Sequence, residues 1–514
     1  MESSTPTLTL TAQQITCLRD HLLHEDELER VAYVYCTRSG DDRLLAEEIV
    51  PVADDQLLAQ DRTRCRPTLE AERSLLQDCR DRGMHPLIIH SHAFDTSERP
   101  DFSSDDHELM DGLQTMVTGL WPDTTVMFAV LNTTGITAAV YDPEPGKRVT
   151  LPVTVLGHRR LDTPLNTPDP SEPAAASLNT ARHDRSIRAL TEHGQQVLAE
   201  THIGLIGAGG LGSIMAVECA RYGVRQLTVV DPDIVEESNL PRLFGAYDHH
   251  IGRPKIAALR EHLWKINPTI EITPVQDTAE NAADTLKQVD LLVAGVDQVS
   301  TRMWLNQFAV QHLIPYVDAG VVIETTDAAD DTGTAADAVP ASSGRVESME
   351  GYIQLILPGA NACFDCFDRG DPEQARLERL SLDELEEELE RGYIEATDLS
   401  PEPAVVPLNG IVASKTIQLL VKYITGYARP ADYLRFEGIG NTLTELTTHP
   451  SDRCMTCGDS GILGQGDRDP THADLAAAHH DLDLEIAGES EPEPTPETGP
   501  VPTADDRFAA FFDS

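Results

Sequence analysis

The sequence predicts an α/β protein of two domains, and three observations predict it. Between Thr201 and Leu243 the chain reads strand, glycine turn, helix, strand, acid. A stretch rich in Pro, Ser, Thr and Ala, with Pro164, Pro168, Pro170 and Pro173, separates this region from an earlier one. The earlier region carries strand-like apolar runs of its own and an opening helix-like segment. The expected organisation is a first domain over 1–161, a linker over 162–180, a second domain over 181–463 and an acidic tail over 464–514. At 514 residues the chain is long enough for both domains to bury a core.

Asp and Glu number 86 against 39 Lys plus Arg, a formal charge of -47. The only lysines are Lys147, Lys255, Lys265, Lys287, Lys415 and Lys422. The acids are spread along the whole chain, which suits a salt-adapted (halophilic) cytoplasmic protein, because salt screens the self-repulsion. The same balance argues against a nucleic-acid groove, which needs a basic stripe. No apolar run reaches the roughly 18 residues of a membrane span. The opening MESSTPTLTL lacks the basic and apolar regions of a signal peptide. Of nine cysteines, four fall in two C-x-x-C pairs, which points to metal in a reducing compartment rather than to disulfides.

In chain order, Thr11 to Glu25 has helical periodicity, and Glu29 to Cys36 reads as a strand opened by a carboxylate. A second buried-strand run, Pro86 to His90, delivers His90-Ser91-His92, two rings expected on one side of a strand end. Phe102-Ser103-Ser104-Asp105-Asp106 follows after a loop. Two His and a carboxylate suit an open zinc site with water in the fourth position, and a nearby Glu suits the base that takes that water's proton. Further strand-like runs cover 125–132, 136–141 and 148–155.

This set resembles the JAB/MPN metalloprotease family, whose pattern is an early Glu, then H-x-H, a loop and S-x-x-D. The resemblance implies His90, His92 and Asp106 as ligands of a catalytic Zn²⁺, Glu29 as acid/base and Ser103 as oxyanion support. Asp105 is the adjacent alternative to Asp106, and Glu27 the alternative to Glu29. The loop between His92 and Ser103 is a few residues longer than the family's.

In the second domain an apolar run, Ile203 to Ile206, leads into Gly207-Ala208-Gly209-Gly210-Leu211-Gly212. A helix-like segment over 213–222 and a run ending at Asp231 follow. Such a unit offers a helix N-terminus to a phosphate and a carboxylate to a ribose. The surrounding charged groups change the expected ligand from a nicotinamide dinucleotide to a triphosphate. Arg182 and Arg185 precede the loop, Asn239, Arg242 and Lys255 follow it, and the run over 290–296 ends at Asp297, followed by Arg302 and Asn306. Arg and Lys neutralise charge on a triphosphate, and an Asp at a strand end suits Mg²⁺.

From about Arg182 to Cys457 the chain resembles the ThiF/MoeB/HesA family, prokaryotic relatives of ubiquitin-activating enzymes. The resemblance implies a Rossmann-like domain that uses ATP and Mg²⁺ to adenylate the C-terminal glycine of a ubiquitin-like β-grasp protein ending in Gly-Gly. It implies Gly207, Gly209, Gly210 and Gly212 as the phosphate loop and Asp231 on the ribose. Asn239, Arg242 and Lys255 would contact phosphates, Asp297 would hold Mg²⁺, and Arg185 (with Arg182 as its neighbour) would reach across a homodimer. Ser186 and Pro241 stand where the family often has other residues. It places Cys363, Cys366, Cys454 and Cys457 at a structural Zn²⁺. The only cysteines between Asp297 and Cys454 are Cys363 and Cys366, and Cys219 has apolar neighbours, so adenylation without an enzyme thioester is expected.

Residues 371–391 read as a Glu- and Leu-rich crossover helix, and Pro407-Leu408-Asn409-Gly410 as the opening of a helix over 411–423. The whole is expected to join a zinc isopeptidase or processing domain to an adenylyltransferase. The rivals are the same chemistry on a small molecule or tRNA base, and a non-enzymatic scaffold.

Overall fold

The computed structural model describes residues 5–121, 124–141, 148–157, 161–162, 179–326, 345–367, 370–391 and 404–468. Nearly all of the predicted linker and the tail beyond 468 lie outside the described residues.

The first sheet has nine strands: β1 (Thr7–Thr11), β2 (Val31–Ser39), β3 (Arg43–Pro51), β6 (His85–Ser91), β7 (Met127–Leu131), β8 (Ile136–Tyr141), β9 (Arg148–Leu151), β10 (Val153–Leu156) and β11 (Leu161–Asp162). A small hairpin, β4 (Leu57–Gln60) and β5 (Cys65–Pro67), stands apart, and the sheet order is β11-β10-β1-β3-β2-β6-β7-β8-β9. Helix α1 (Ala12–Leu22) starts where Thr11 and Gln14 form a reciprocal capping box. Helix α1 covers one face, over Leu10, Val34 and Leu87. Helices α2 (Leu69–Arg82) and α3 (Ser104–Leu120) lie at the other, over Tyr33, Ile88 and Phe128. Burial on both faces is why β2 and β6 read as unbroken apolar runs.

The second sheet has eight strands in the order β14-β13-β12-β15-β16-β17-β18-β19. They are β12 (His202–Ile206), β13 (Gln226–Val230), β14 (Glu271–Val275), β15 (Leu291–Ala294), β16 (Tyr316–Thr326), β17 (Arg345–Ile356), β18 (Tyr433–Glu437) and β19 (Thr442–Leu446). From β14 to β16 the neighbours are parallel, and from β16 to β19 antiparallel. The helices are α4 (Asp184–Glu200), α5 (Gly210–Tyr222), α6 (Lys255–Ile266), α7 (Ala283–Leu286), α8 (Val299–Gln311), α9 (Pro372–Leu377), α10 (Leu382–Arg391) and α11 (Val406–Thr425). α5, α6 and α11 share one core with Leu205, Val229 and Leu355, while α8 packs on the opposite face.

Several elements differ from the sequence reading. The run read over 148–155 is two strands, β9 and β10, broken at Pro152, which has no N–H for a ladder. The predicted crossover helix is two helices, α9 and α10, because Ser381 starts a new one by capping with Glu384. α11 begins five residues earlier than expected, since Pro407 is tolerated in a first turn. Residues 464–468, read as the start of the tail, are held between the two sheets. Thr37 Oγ1 donates to the Gly464 carbonyl at 2.7 Å, and Gln311 Nε2 to the Gly466 carbonyl at 2.5 Å. Lys287 meets Asp467 at 2.8 Å and Arg468 meets Glu47 at 2.8 Å.

The sheets also meet directly, within one compact unit that spans 1–473. Ser39 Oγ lies 2.9 Å from Nδ1 of buried His312, Arg43 donates to the Leu313 carbonyl, and Leu45, Leu156 and Leu313 form a small shared core.

Candidate functional site

The glycine loop leaves β12 at its carboxyl end. Gly207 has φ +89, and a Cβ there would press on Val296 and the Gly295 carbonyl. A Cβ on Gly212 would overlap the Gly207 carbonyl, so strand and helix approach this closely only without side chains. α5 begins at Gly210, one residue after Gly209, and no side chain among the described residues caps it. Its first N–H groups are therefore available to an anion.

Asp231, at the end of β13, is 5% exposed and binds the loop itself: Oδ2 accepts from the Ala208 N–H at 2.6 Å and Oδ1 from the Asp233 N–H at 2.9 Å. Burial pushes its carboxyl up, against the charge of Lys255. Lys255 pairs with Asp233 at 2.6 Å. Buried Asn239 braces the short turn that carries Arg242, whose Nη1 donates to the Ser238 carbonyl at 2.9 Å and whose stem lies near Gly210. Asp297 is exposed just beyond β15, next to Val296 at the loop.

A ThiF-family profile matches residues 183–456, more than half of the chain. The chain belongs to the ThiF family. Over 284 residues it is 28% identical to the molybdopterin-synthase adenylyltransferase of Escherichia coli K12, covering 54% of this chain and 96% of that protein. Over 271 residues it is 27% identical to ubiquitin-like modifier-activating enzyme 5 of Drosophila willistoni. That match covers 50% of this chain and spans 57% of the Drosophila protein. The crystal structure of E. coli MccB with ATP aligns at 18% identity and TM-score 0.41, over 56% of this chain and 76% of that one. Residues 1–182 lie before the ThiF match.

Within the ThiF domain, three predicted residues lie away from the loop. Arg185 is exposed near Arg221 and Tyr222, at the far end of α5. A helix of that length spans about 19 Å, so one chain does not bring Arg185 to its own glycine loop. Arg302 is buried against Asp318 at 2.9 Å, with its guanidinium over the Tyr352 ring. Asn306 braces the first cysteine pair, accepting from the Phe364 N–H at 2.9 Å and donating to Asp365 at 3.1 Å. Arg302 and Asn306 thus hold the fold together rather than line the loop. Sequence reasoning also missed Glu378, whose carboxylate accepts from the Val299 and Ser300 N–H groups and so caps α8, two residues after Asp297.

The four cysteines converge. Sγ–Sγ distances are 3.8 Å for Cys363–Cys366, 3.6 Å for Cys363–Cys454 and 3.4 Å for Cys366–Cys457. Zinc–sulfur bonds of about 2.3 Å place tetrahedral thiolates about 3.8 Å apart, so the donor set fits a closed Zn²⁺ site. Cys219 is buried, and burial pushes its thiol up to about 12, which suits a core residue rather than a nucleophile.

The second cluster sits in the first domain. His90 is the last residue but one of β6, and Nε2 of His90 and His92 lie 3.2 Å apart. Asp106 meets His90 at 3.2 Å and His92 at 3.5 Å. Asp105, its sequence alternative, is exposed. Glu29 is 3% exposed, with Oε1 3.8 Å from His92 Nε2. Glu27, its alternative, pairs instead with Arg62. Ser103 caps α3: its hydroxyl accepts from the Asp106 N–H at 3.2 Å, and Asp106 accepts from the Ser103 N–H at 2.6 Å. Burial pushes the Glu29 carboxyl up to about 7. Burial would raise Asp106 too, but hydrogen bonds from His90, His92 and Ser103 hold it well below the usual carboxylate range. Donor atoms of His90, His92 and Asp106 all lie within 4.8 Å of one another, a three-ligand set with an open side. Among the described residues no helix is long and apolar enough to cross a membrane.

Proposed function

We propose that this chain adenylates the C-terminal carboxylate of a ubiquitin-like β-grasp protein ending in Gly-Gly. The observation that carries this is the uncapped start of α5 beside Asp231, Arg242 and Asp297, in a domain of the ThiF family. A carboxylate oxygen attacks the α-phosphorus of ATP, the bond to the pyrophosphate breaks, and an acyl-adenylate forms. α5 binds phosphate, Asp231 the ribose, Arg242 and Lys255 the leaving pyrophosphate, and Asp297 Mg²⁺. The relatives support this by their names alone: one is an adenylyltransferase and one activates a ubiquitin-like modifier.

We further propose that the chain works as a homodimer, in which Arg185 of one copy serves the loop of the other. Its place at the far end of α5 supports this reading. The first domain is proposed as a JAB/MPN-like zinc peptidase acting on the same C-terminus. His90, His92 and Asp106 would hold Zn²⁺, which supplies an activated water, and buried Glu29 would take that water's proton.

The test is exchange of labelled pyrophosphate into ATP, driven by a Gly-Gly β-grasp protein from the same cell. Asp297→Ala should abolish exchange and leave zinc content unchanged. No exchange with any such protein refutes the adenylation reading. If Arg185→Ala and Asp297→Ala chains are each inactive and their mixture regains exchange, the dimer reading stands; a mixture that stays inactive refutes it.

A further inference from the structure

α5 and α11 run side by side in the same direction. Asn409 of α11 meets Gly210 at the start of α5, and further along Ser414 donates to Glu218 at 2.5 Å. Their N-termini therefore lie together, near the carboxyl end of β12. Among the described residues no side chain caps either end. Two positive helix ends side by side repel each other unless negative charge sits before them. On the adenylation reading, which this inference deepens, a phosphate belongs to α5. The start of α11 can receive a second anion.

Asn409 marks the place. It is 3% exposed, and its Oδ1 is buried with no hydrogen-bond partner among the described residues. A Cβ on Gly210 would lie 2.5 Å from Asn409 Nδ2, and 3.5 Å from Arg242 Cδ. The amide thus faces the mouth of the glycine loop, beside the predicted phosphate ligand. A buried amide oxygen without a partner destabilises the folded chain, which a ligand N–H would relieve. Position along the sheet says which group it receives. Asp231 ends β13, on one side of the loop, whereas α11 lies on the other, with Val412 against Gly351 of β17. Asp231 and Asn409 therefore lie on opposite sides of the glycine loop.

We propose that Asn409 and the start of α11 receive the attacking carboxylate together with the last peptide N–H of the substrate. The amide group donates to a carboxylate oxygen, and its oxygen accepts from that N–H, so both ends are satisfied at once. This pairing selects a peptide C-terminus over a simple carboxylic acid, which has no N–H to offer.

The test uses the full chain and two probes in calorimetry: a non-hydrolysable ATP analogue with Mg²⁺, and glycyl-glycyl sulfamoyl adenosine, a stable acyl-adenylate mimic. Asn409→Ala should bind the ATP analogue within twofold of wild type and the acyl mimic at least tenfold more weakly. Asn409→Asp, of the same shape but negative, should raise the KM for a Gly-Gly protein in exchange by more than Asn409→Ala does. Both variants should melt no lower than wild type, since no hydrogen bond of the Asn409 side chain is lost. If Asn409→Ala binds both probes as wild type does, or weakens both equally, the inference is overturned while the adenylation reading stands. If wild type binds neither probe, both fall.

Discussion

The His90 cluster and the glycine loop occupy corresponding places, at the ends of interior strands in two different sheets, and are built in opposite ways. In the first, side chains answer one another: two imidazoles, Asp106 across both and Glu29 behind. In the second, the decisive feature is missing side chains, because Gly207 and Gly212 let strand and helix meet. A cluster of ligands degrades in steps as ligands are removed. A loop defined by close backbone approach fails when one carbon is added.

The largest effect should follow from Gly212→Val. The new side chain would displace the Gly207 carbonyl and spoil the start of α5, and affinity for MgATP should fall by roughly 100-fold or more, about 3 kcal/mol. Calorimetry of ATP binding checks this, and unchanged affinity would remove the loop from the nucleotide site. Zinc content should be unaffected.

The two metal clusters extend the comparison. Cys454→Ser and His92→Ala should each lower the bound zinc, read by native mass spectrometry, from two ions per chain to one. Cys454→Ser should also lower the melting temperature clearly, because the cysteines tie the segment 454–457 to α8 through Asn306, Asp365 and Thr456. His92→Ala should cost less stability and leave ATP binding within twofold. Equal losses of stability would mean that both clusters are structural.

The most gradual effect concerns pH. His85 is buried beside Thr125, whose N–H its Nδ1 accepts at 3.0 Å, and burial pulls its pKa down from 6.5 to about 4. Its neutral form contributes stability that is fully present above pH 6.5 and lost as pH falls towards about 4, by at most about 1.4 kcal/mol per pH unit. His85→Gln should flatten that part of the stability profile in urea melts. An unchanged slope would assign the acid sensitivity to other groups.

Much of both sites was legible in the chain. G-x-G-G-x-G between two apolar runs, H-x-H at a strand end and paired C-x-x-C motifs depend on residue type at short spacing. What escaped reading were pairings between distant elements. Asp105 and Asp106 are equivalent on paper, and only the pitch of α3 turns Asp106 to the two rings. Arg302 and Asn306 follow Asp297 in sequence, yet α8 aims them at Asp318 and Asp365. Glu378 lies 81 positions after Asp297 and still caps the helix beside it. A signal for Asn409 was present, an amide at the head of an apolar helix, but its lack of a partner shows only after packing.

By itself the sequence determined the local grammar: several interior strands, where glycine permits the turn at Gly207, and which side chain types suit metal or phosphate. Backbone sterics and side-chain chemistry act over a few residues, and that range is written in order along the chain. The tertiary structure decided which carboxylate meets which histidine, that Arg185 lies far from its own loop, and that residues 464–468 sit between the sheets. Those outcomes depend on how layers pack. Packing brings together groups tens or hundreds of positions apart, at distances that no local spacing encodes.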